Sequence, residues 1–246
     1  MQDETTDEFC LAFEAAIPQL KQIILNSFQS QQTSVGFRSI WEFFEEVISP
    51  ILISFFQSPP LNIDVNDITI ARSKSTYPDL KVAFGGNIYA IDVKSGEANK
   101  DPWYDFGRLD TYADKHFGKY KAEFSVTVQW AGREKENLKI TNVYIERTAW
   151  SVGYKAESEG VKYRPYDGKL RPKSWSDFEA GKIYWPNLER FKQAIEVSKF
   201  YRWRTLVSEW YEKMPSHQRD LIKQDISKID AGEHLVLDAD IKDETE

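Results

Sequence analysis

An α/β fold with a central mixed sheet flanked by helices is what this sequence predicts, and three observations predict it. Two amphipathic helical stripes open the chain. The pattern then switches at Ser58-Pro59-Pro60 to short β-type runs, and helix formers return after Trp185. With 246 residues, 41% of them hydrophobic and 14% aromatic, the chain can bury a sizeable core as one domain or as a domain with a subdomain. The expected division is 1–150 for the helices and sheet and 151–246 for a C-terminal subdomain within the same compact fold.

Taken in order, Phe9, Phe13, Ile17, Leu20, Ile24 and Phe28 recur at three- and four-residue steps and place one face of a helix against a core. A second helix is expected over roughly 36–56, with Phe37, Trp41, Phe44, Ile48, Ile51 and Phe55 on its stripe and a kink at Pro50. Beyond the Pro59-Pro60 break, Leu80 to Phe84 and Ile88 to Val93 read as strands. Gly85, Gly86 and Asn87 between them can supply the positive φ angles of a tight hairpin. Phe124 to Trp130 alternates large apolar and polar residues, and Asn142 to Glu146 reads as a further strand. A helical region runs from Trp185-Pro186-Asn187 to at least Trp210, and the acidic tail after Gly232 reads as loose.

The formal net charge of −7 argues against a nucleic-acid partner only as an average. Residues 1–46 and 220–246 each stand at −6, which leaves the middle of the chain at +5. Within it, Lys162, Arg164, Lys169, Arg171 and Lys173 face one acid, Asp167, among Tyr163, Tyr166 and Trp175. Taken on its own, that stretch reads better as a solvated basic loop. Cys10 is the single cysteine, so no intrachain disulfide forms, which suits a reducing cytoplasm. No run of apolar residues is long enough for a membrane span, and the acidic opening MQDETTDE is unlike a signal peptide.

The segment that carries chemistry is Tyr77-Pro78-Asp79, the hairpin, and Ile91-Asp92-Val93-Lys94. Asp92 and Lys94 are two apart and project from one face of their strand, while Asp79 reaches that face across the ladder. Two carboxylates and one ammonium then converge. A divalent cation held by the carboxylates would offset charge on a phosphodiester and activate water, and Lys94 would orient that water and stabilise the transition state. An Asp-x-Lys triplet alone is weak, since about one arises by chance in a chain of this size. A second copy, Asp240-Ile241-Lys242, lacks the upstream Pro-Asp. Surface pairing of Asp92 with Lys94 is the plain alternative.

Pro78-Asp79 followed by Asp92-Val93-Lys94 resembles the PD-(D/E)xK nuclease motif. YPDL with AIDVKS looks like the version found in the type II restriction endonucleases that cut GATATC to blunt ends. Upstream, Ser39-Ile40-Trp41-Glu42-Phe43-Phe44 with Ser49-Pro50-Ile51 is similar to that family's N-terminal helix. Downstream, Trp175 to Lys182 with Phe191 is similar to the segment after its recognition loop, so the likeness is patchy but collinear over about 36–205.

The resemblance implies a restriction-endonuclease-like core with a C-terminal DNA-recognition subdomain, and Mg2+-dependent cutting of double-stranded DNA by a homodimer at a palindromic site. It implies 5′-phosphate and 3′-hydroxyl ends, blunt in that branch, and a cognate DNA methyltransferase as functional partner. Asp79, Asp92 and Lys94 take the catalytic places, Asp79 and Asp92 those of metal ligands. Glu42 takes that of an auxiliary acid, with Glu45 and Glu46 as alternative registers and a helix-surface carboxylate as the plain one. The loop from about Gly153 to Lys173, with Lys155, Lys162, Arg164, Lys169, Arg171 and Lys173, would enter the major groove, and Arg72, Ser73 and Lys74 would approach the minor groove. Arg164 and Arg171 would contact guanine edges or phosphates. The family has Gly, Ser, Thr and Asn in the loop where this chain has Lys, Arg and Tyr, so the recognition sequence does not carry over.

His116, His217 and His234 show no metal-ligand spacing, and Gly85-Gly86 precedes a strand, so zinc, Cys-His and nucleotide-triphosphate chemistry have no motif here. The remaining rivals are a repair or junction-resolving nuclease on the same core, a DNA-binding protein without activity, and an interaction module with no DNA role.

Overall fold

The computed structural model describes residues 7–31, 40–71, 77–132 and 137–230, and the side chains among them except those of 29–31, 40–43, 45 and 225–230. Two compact units divide the chain, Met1–Lys199 and Phe200–Glu246. Residues 151–199, which the sequence groups with a C-terminal subdomain, fall in the same unit as the sheet.

In the first unit, α1 (Glu8–Gln31) buries Phe9, Phe13, Leu20, Ile24 and Phe28 along one face, as their spacing predicts. Asp7 starts the helix: its carboxylate accepts from the Cys10 amide at 3.0 Å and from the Tyr89 hydroxyl at 2.9 and 2.8 Å. Helix α2 (Ile40–Phe56) runs through Pro50 and buries Phe44, Ile48, Leu52 and Phe56. The expected stripe residue Phe37 and the acidic tail after Gly232 lie outside the described residues, as does the Trp41 side chain.

Strands β1 (Ile68–Ile70), β2 (Leu80–Phe84), β3 (Asn87–Glu97), β4 (Ala122–Ala131) and β5 (Lys139–Arg147) form one sheet in sequence order. Neighbours are antiparallel except β3 and β4, which run parallel, so the sheet is mixed as predicted. Gly85 and Gly86, at φ +57° and +79°, close the β2–β3 hairpin, while Asn87 belongs to the strand and pairs with Phe84. Strand β1 carries no sequence signal strong enough to predict it: three residues at an edge, none buried, leave no period to read.

Alternation sorts the sheet's faces. Tyr89, Ile91 and Val93 of β3, Phe124, Val126 and Val128 of β4, and Val143 and Ile145 of β5 join α1 and α2 in one apolar core. Aromatic rings dominate it: Phe9 lies 4.0 Å from Tyr89 between centroids, and Phe13 meets Phe124 edge-on at 4.8 Å. The other face holds polar residues and is covered as well.

Helices α3 (Tyr112–His116) and α4 (Thr148–Ser151), strands β6 (Tyr154–Lys155) and β7 (Gly160–Val161), α5 (Trp175–Glu179) and the first part of α6 (Leu188–Lys213) complete this unit. A second core gathers Phe106, Leu109, Val161, Tyr163, Leu170 and Phe191 among others. The basic stretch is therefore no solvated loop. β6 pairs β7, Tyr163 bridges Leu170, and Val152 bridges Pro172.

Arg171 and Lys173, expected at a DNA surface, are buried instead. Lys173 reaches Glu146 on β5 at 2.9 Å and the Lys182 carbonyl at 2.9 Å, and Arg171 donates to the Tyr104 carbonyl at 2.9 Å. Residues 170–173 are all buried, an enclosure that the charges alone did not reveal. The second unit holds the rest of α6 and α7 (Ser216–Asp230). Among the described residues no helix is long and apolar enough to cross a membrane.

Candidate active site

The hairpin register brings the predicted triad together. Leu80 pairs with Ile91, so Asp79, one residue before β2, stands opposite Asp92. The Asp79 carboxylate accepts from the Val93 amide at 2.6 Å, and its own carbonyl accepts from the Ala71 amide at 2.8 Å, which ties the Pro78-Asp79 turn to both neighbouring segments. Asp92 is 2% exposed, and its Oδ2 lies 2.7 Å from Lys94 Nζ, two residues on along the same face.

Electrostatics keep Lys94 charged. Burial opposes the ammonium, but Asp92 first, then Asp79 and Asp105, outweigh it and hold the lysine above its ordinary pKa. Lys94 and Ser95 line an open cavity of about 260 Å³ with Trp103, Tyr104 and Asp105.

That cavity shows residues the motif did not. Trp103 is 70% exposed, with the Arg171 guanidinium 4.0 Å and the Arg164 guanidinium 5.6 Å from its ring centroid. Asp105 pairs with Lys169 at 3.0 Å, so one basic residue of the expected loop is fixed beside the cavity. An aromatic-acidic run, Trp103-Tyr104-Asp105, between strands and outside any period was the available signal.

A second cluster lies behind the Pro78-Asp79 turn. Tyr77 donates its hydroxyl to Glu123, and His116 Nδ1 stands 2.9 Å from the same carboxylate oxygen. The imidazole is sandwiched, with Tyr112 stacked at 3.9 Å and Tyr77 at 4.2 Å. Burial, then Glu123, Tyr112 and Asp92, push the Tyr77 phenol well above its ordinary range, so it remains a neutral donor. His116 is thus a buried imidazole held in the core.

The remaining predicted residues divide by placement. Arg164 donates to Asp167 through both arms of its fork, Nε at 2.8 Å, and this holds Asp167 down to about 2. Lys155 lies 4.6 Å from the Tyr163 ring, and Lys162 is half-buried beside Gly153. Arg72, Ser73 and Lys74 lie outside the described residues, as do the side chains of Glu42 and Glu45.

The donor set fits a hard divalent cation. Asp92 Oδ2 is buried, and among the described residues the Lys94 ammonium at 2.7 Å is its charged partner, which leaves room for a cation on the carboxylate. Among the described residues no group of three or more His, Cys, Asp or Glu side chains gathers for a metal, but magnesium is held by as few as one or two carboxylates with water and phosphate completing the shell.

No family model matches the chain, and no curated protein matches it. Among solved structures it is similar to the NlaIV restriction endonuclease, with a TM-score of 0.47 and 15% identity over 66% of this chain and 65% of that one. The chain thus spans slightly less than two thirds of that structure's length.

Proposed function

We propose that this chain is a magnesium-dependent endonuclease acting on double-stranded DNA, of the type II restriction kind. One observation carries the reading: Asp79 and Asp92 oppose each other across the β2–β3 hairpin, with Lys94 paired to Asp92 at the mouth of an open cavity.

Asp79 and Asp92 would hold the ion, which when bound supplies Lewis acidity and a water of lowered pKa. Asp79 is aimed by the Val93 amide, and Asp92 by the strand itself. Lys94, kept protonated by its carboxylate neighbours, offsets charge gathering on the phosphoryl oxygens and orients the attacking water. The water oxygen bonds to phosphorus in line as the bond to the 3′ oxygen breaks, and the water's proton ends on that oxygen. The products are 5′-phosphate and 3′-hydroxyl ends.

Recognition falls to the segment from Gly153 to Lys169. Lys155, Lys162, Arg164 and Lys169 remain as its DNA contacts, with Arg72, Ser73 and Lys74 from the preceding turn and Glu42 as the auxiliary acid. A palindromic site cut on both strands calls for a homodimer, matching protein symmetry to DNA symmetry. Blunt ends, the GATATC-type branch, a partner methyltransferase and a cytoplasmic setting complete the proposal.

The test is incubation of the purified protein with a mixed-sequence plasmid, with and without magnesium, beside Asp92→Ala. Discrete magnesium-dependent bands that vanish in the variant are expected. Plasmid that stays intact but is retarded on a gel overturns the catalytic part and leaves DNA binding.

A further inference from the structure

The two carboxylates that would hold the ion are fixed unequally by the fold. Asp92 sits within β3, paired with Ser125 of β4, whereas Asp79 precedes β2 by one residue. Pro78, buried just before it, has no amide to donate. The aim of Asp79 therefore depends on what holds the Tyr77-Pro78-Asp79 turn.

A side-chain clamp holds it from behind. Tyr77 donates its hydroxyl to Glu123 Oε2, and His116 Nδ1 stands 2.9 Å from that same oxygen. Glu123 pairs with Ala90, two residues before Asp92, so its side chain leaves the sheet on the catalytic face, one row from the ion pair. The imidazole lies between the rings of Tyr77 and Tyr112, and Tyr112 meets Phe191 edge-on at 5.6 Å in the second core. A buried core thus reaches the turn through side chains alone.

Packing does not require such a cluster. An apolar filling behind the turn would avoid desolvating a carboxylate, whereas hydrogen bonds to one oxygen fix direction as well as distance. The charge of Asp92 bears on the Tyr77 and Tyr112 phenols, which places the cluster within electrostatic reach of the catalytic pair. On the other side of the turn the Val93 amide, beyond the last β2–β3 pair of Leu80 with Ile91, donates to the Asp79 carboxylate at 2.6 Å. That amide reports where the carboxylate is.

We propose that Glu123 is a positioning residue: through Tyr77, and backed by His116, it holds the Asp79 carboxylate opposite Asp92 for the divalent cation. It rests on the magnesium reading only for the identity of the ion, because the placement of Asp79 is measured without one.

The experiment is amide hydrogen exchange of the full chain, resolved by residue, without metal or DNA. Tyr77→Phe and Glu123→Ala are each expected to speed exchange at Val93 about tenfold or more, toward the rate in Asp79→Ala, while Val126 in the middle of β4 exchanges as in the wild type. Glu123→Gln is expected to keep most of the protection, because both contacts fall on one oxygen that the amide carbonyl can replace. Titration calorimetry with manganese, again without DNA, is expected to show about tenfold weaker binding in Tyr77→Phe and Glu123→Ala, and near wild-type binding in Glu123→Gln. Tyr77→Phe removes a single oxygen and keeps the test open if Glu123→Ala fails to fold. Wild-type protection of Val93 in both variants, faster exchange shared equally by Val126, a glutamine variant no better than alanine, or an unmoved manganese affinity each overturns the role of Glu123. A wild type that binds no manganese overturns the magnesium reading, while exchange at Val93 still decides whether Glu123 places Asp79.

Discussion

On one face of β3, Tyr89, Ile91 and Val93 pack into the aromatic core beneath α1 and α2; on the other, one residue away each time, Asp92 and Lys94 form an ion pair. The strand beside it repeats the contrast, with Phe124, Val126 and Val128 inward and Ser125, Thr127 and Gln129 on the opposite register. Alternation of this kind usually marks a sheet with one wet face. Here both faces are buried, for Ser125 and Thr127 are as inaccessible as Phe124. The polar face is a largely enclosed, hydrogen-bonded layer in which Tyr104 meets Thr127, Ser125 meets Thr148, and Glu146 takes Ser151 and Lys173. A low-dielectric layer is costly to build and strengthens every charge placed in it, which is the environment that electrostatic catalysis uses.

Breaking that layer at its most buried charge has the largest expected effect. Lys173→Met strands Glu146 without its ammonium, and removal of one partner of a buried pair costs about 3–5 kcal/mol. Glu146→Leu added to it should recover much of that loss, since the pair replaced by apolar groups is roughly neutral. Chemical denaturation of the three proteins checks both statements. A Lys173→Met variant as stable as the wild type would mean that this face tolerates unpaired charge and resembles an ordinary wet surface.

Next in size, neighbouring residues on β3 should fail in opposite ways. Under the nuclease reading, Asp92→Asn is expected to slow strand scission by about 10²–10³-fold while costing less stability than a core truncation, because Lys94 is partly exposed and keeps Asp79 and Asp105 as charged neighbours. Ile91→Ala should lower stability by about 2–5 kcal/mol and leave the rate per folded molecule near that of the wild type. Rates at saturating substrate, paired with thermal melts, separate the two. Equal losses of stability in both variants would erase the division of labour between the faces.

Most of the sheet and of the triad was legible because both rest on short-range rules. A period of two sets the faces, glycines at positive φ set the hairpin, and the hairpin register brings Asp79 opposite Asp92. The basic stretch was misread because composition reports charge and not environment. Lys173 and Arg171 alternate with Leu170 and Pro172 on a ladder whose partners, Tyr163 and Val152, are local but whose covering residues, Glu146 and Tyr104, lie far along the chain. The Tyr77-Glu123-His116 cluster escaped for the same reason, joining three elements across 46 residues. Gly96 carries a similar hidden constraint, for a Cβ there would stand 2.7 Å from the Trp175 ring, which packs on β3 and donates to the Glu97 and Lys100 carbonyls.

The smallest effect is expected at the rim, where the enclosed layer opens. Trp103 stands 70% exposed beside Lys94 and shields the Arg171 guanidinium, whose Nε and Nη2 have no hydrogen-bond partner among the described residues. Burial, followed by repulsion from Arg164, holds that arginine below its ordinary pKa. Under the nuclease reading, an exposed indole at the catalytic mouth is a surface on which a base unstacked from the duplex can lie, a contact worth about 1–3 kcal/mol by alanine substitution. Trp103→Ala should therefore weaken duplex binding about tenfold with little change in stability, and Trp103→Phe should keep most of the affinity. Fluorescence anisotropy with labelled duplex at two salt concentrations is the measurement. If the alanine variant instead binds more tightly and with a steeper salt dependence, the uncovered guanidinium is the contact and the indole its cover. Unchanged binding in both variants would place the DNA away from this rim and leave the polar face to act on a substrate held elsewhere.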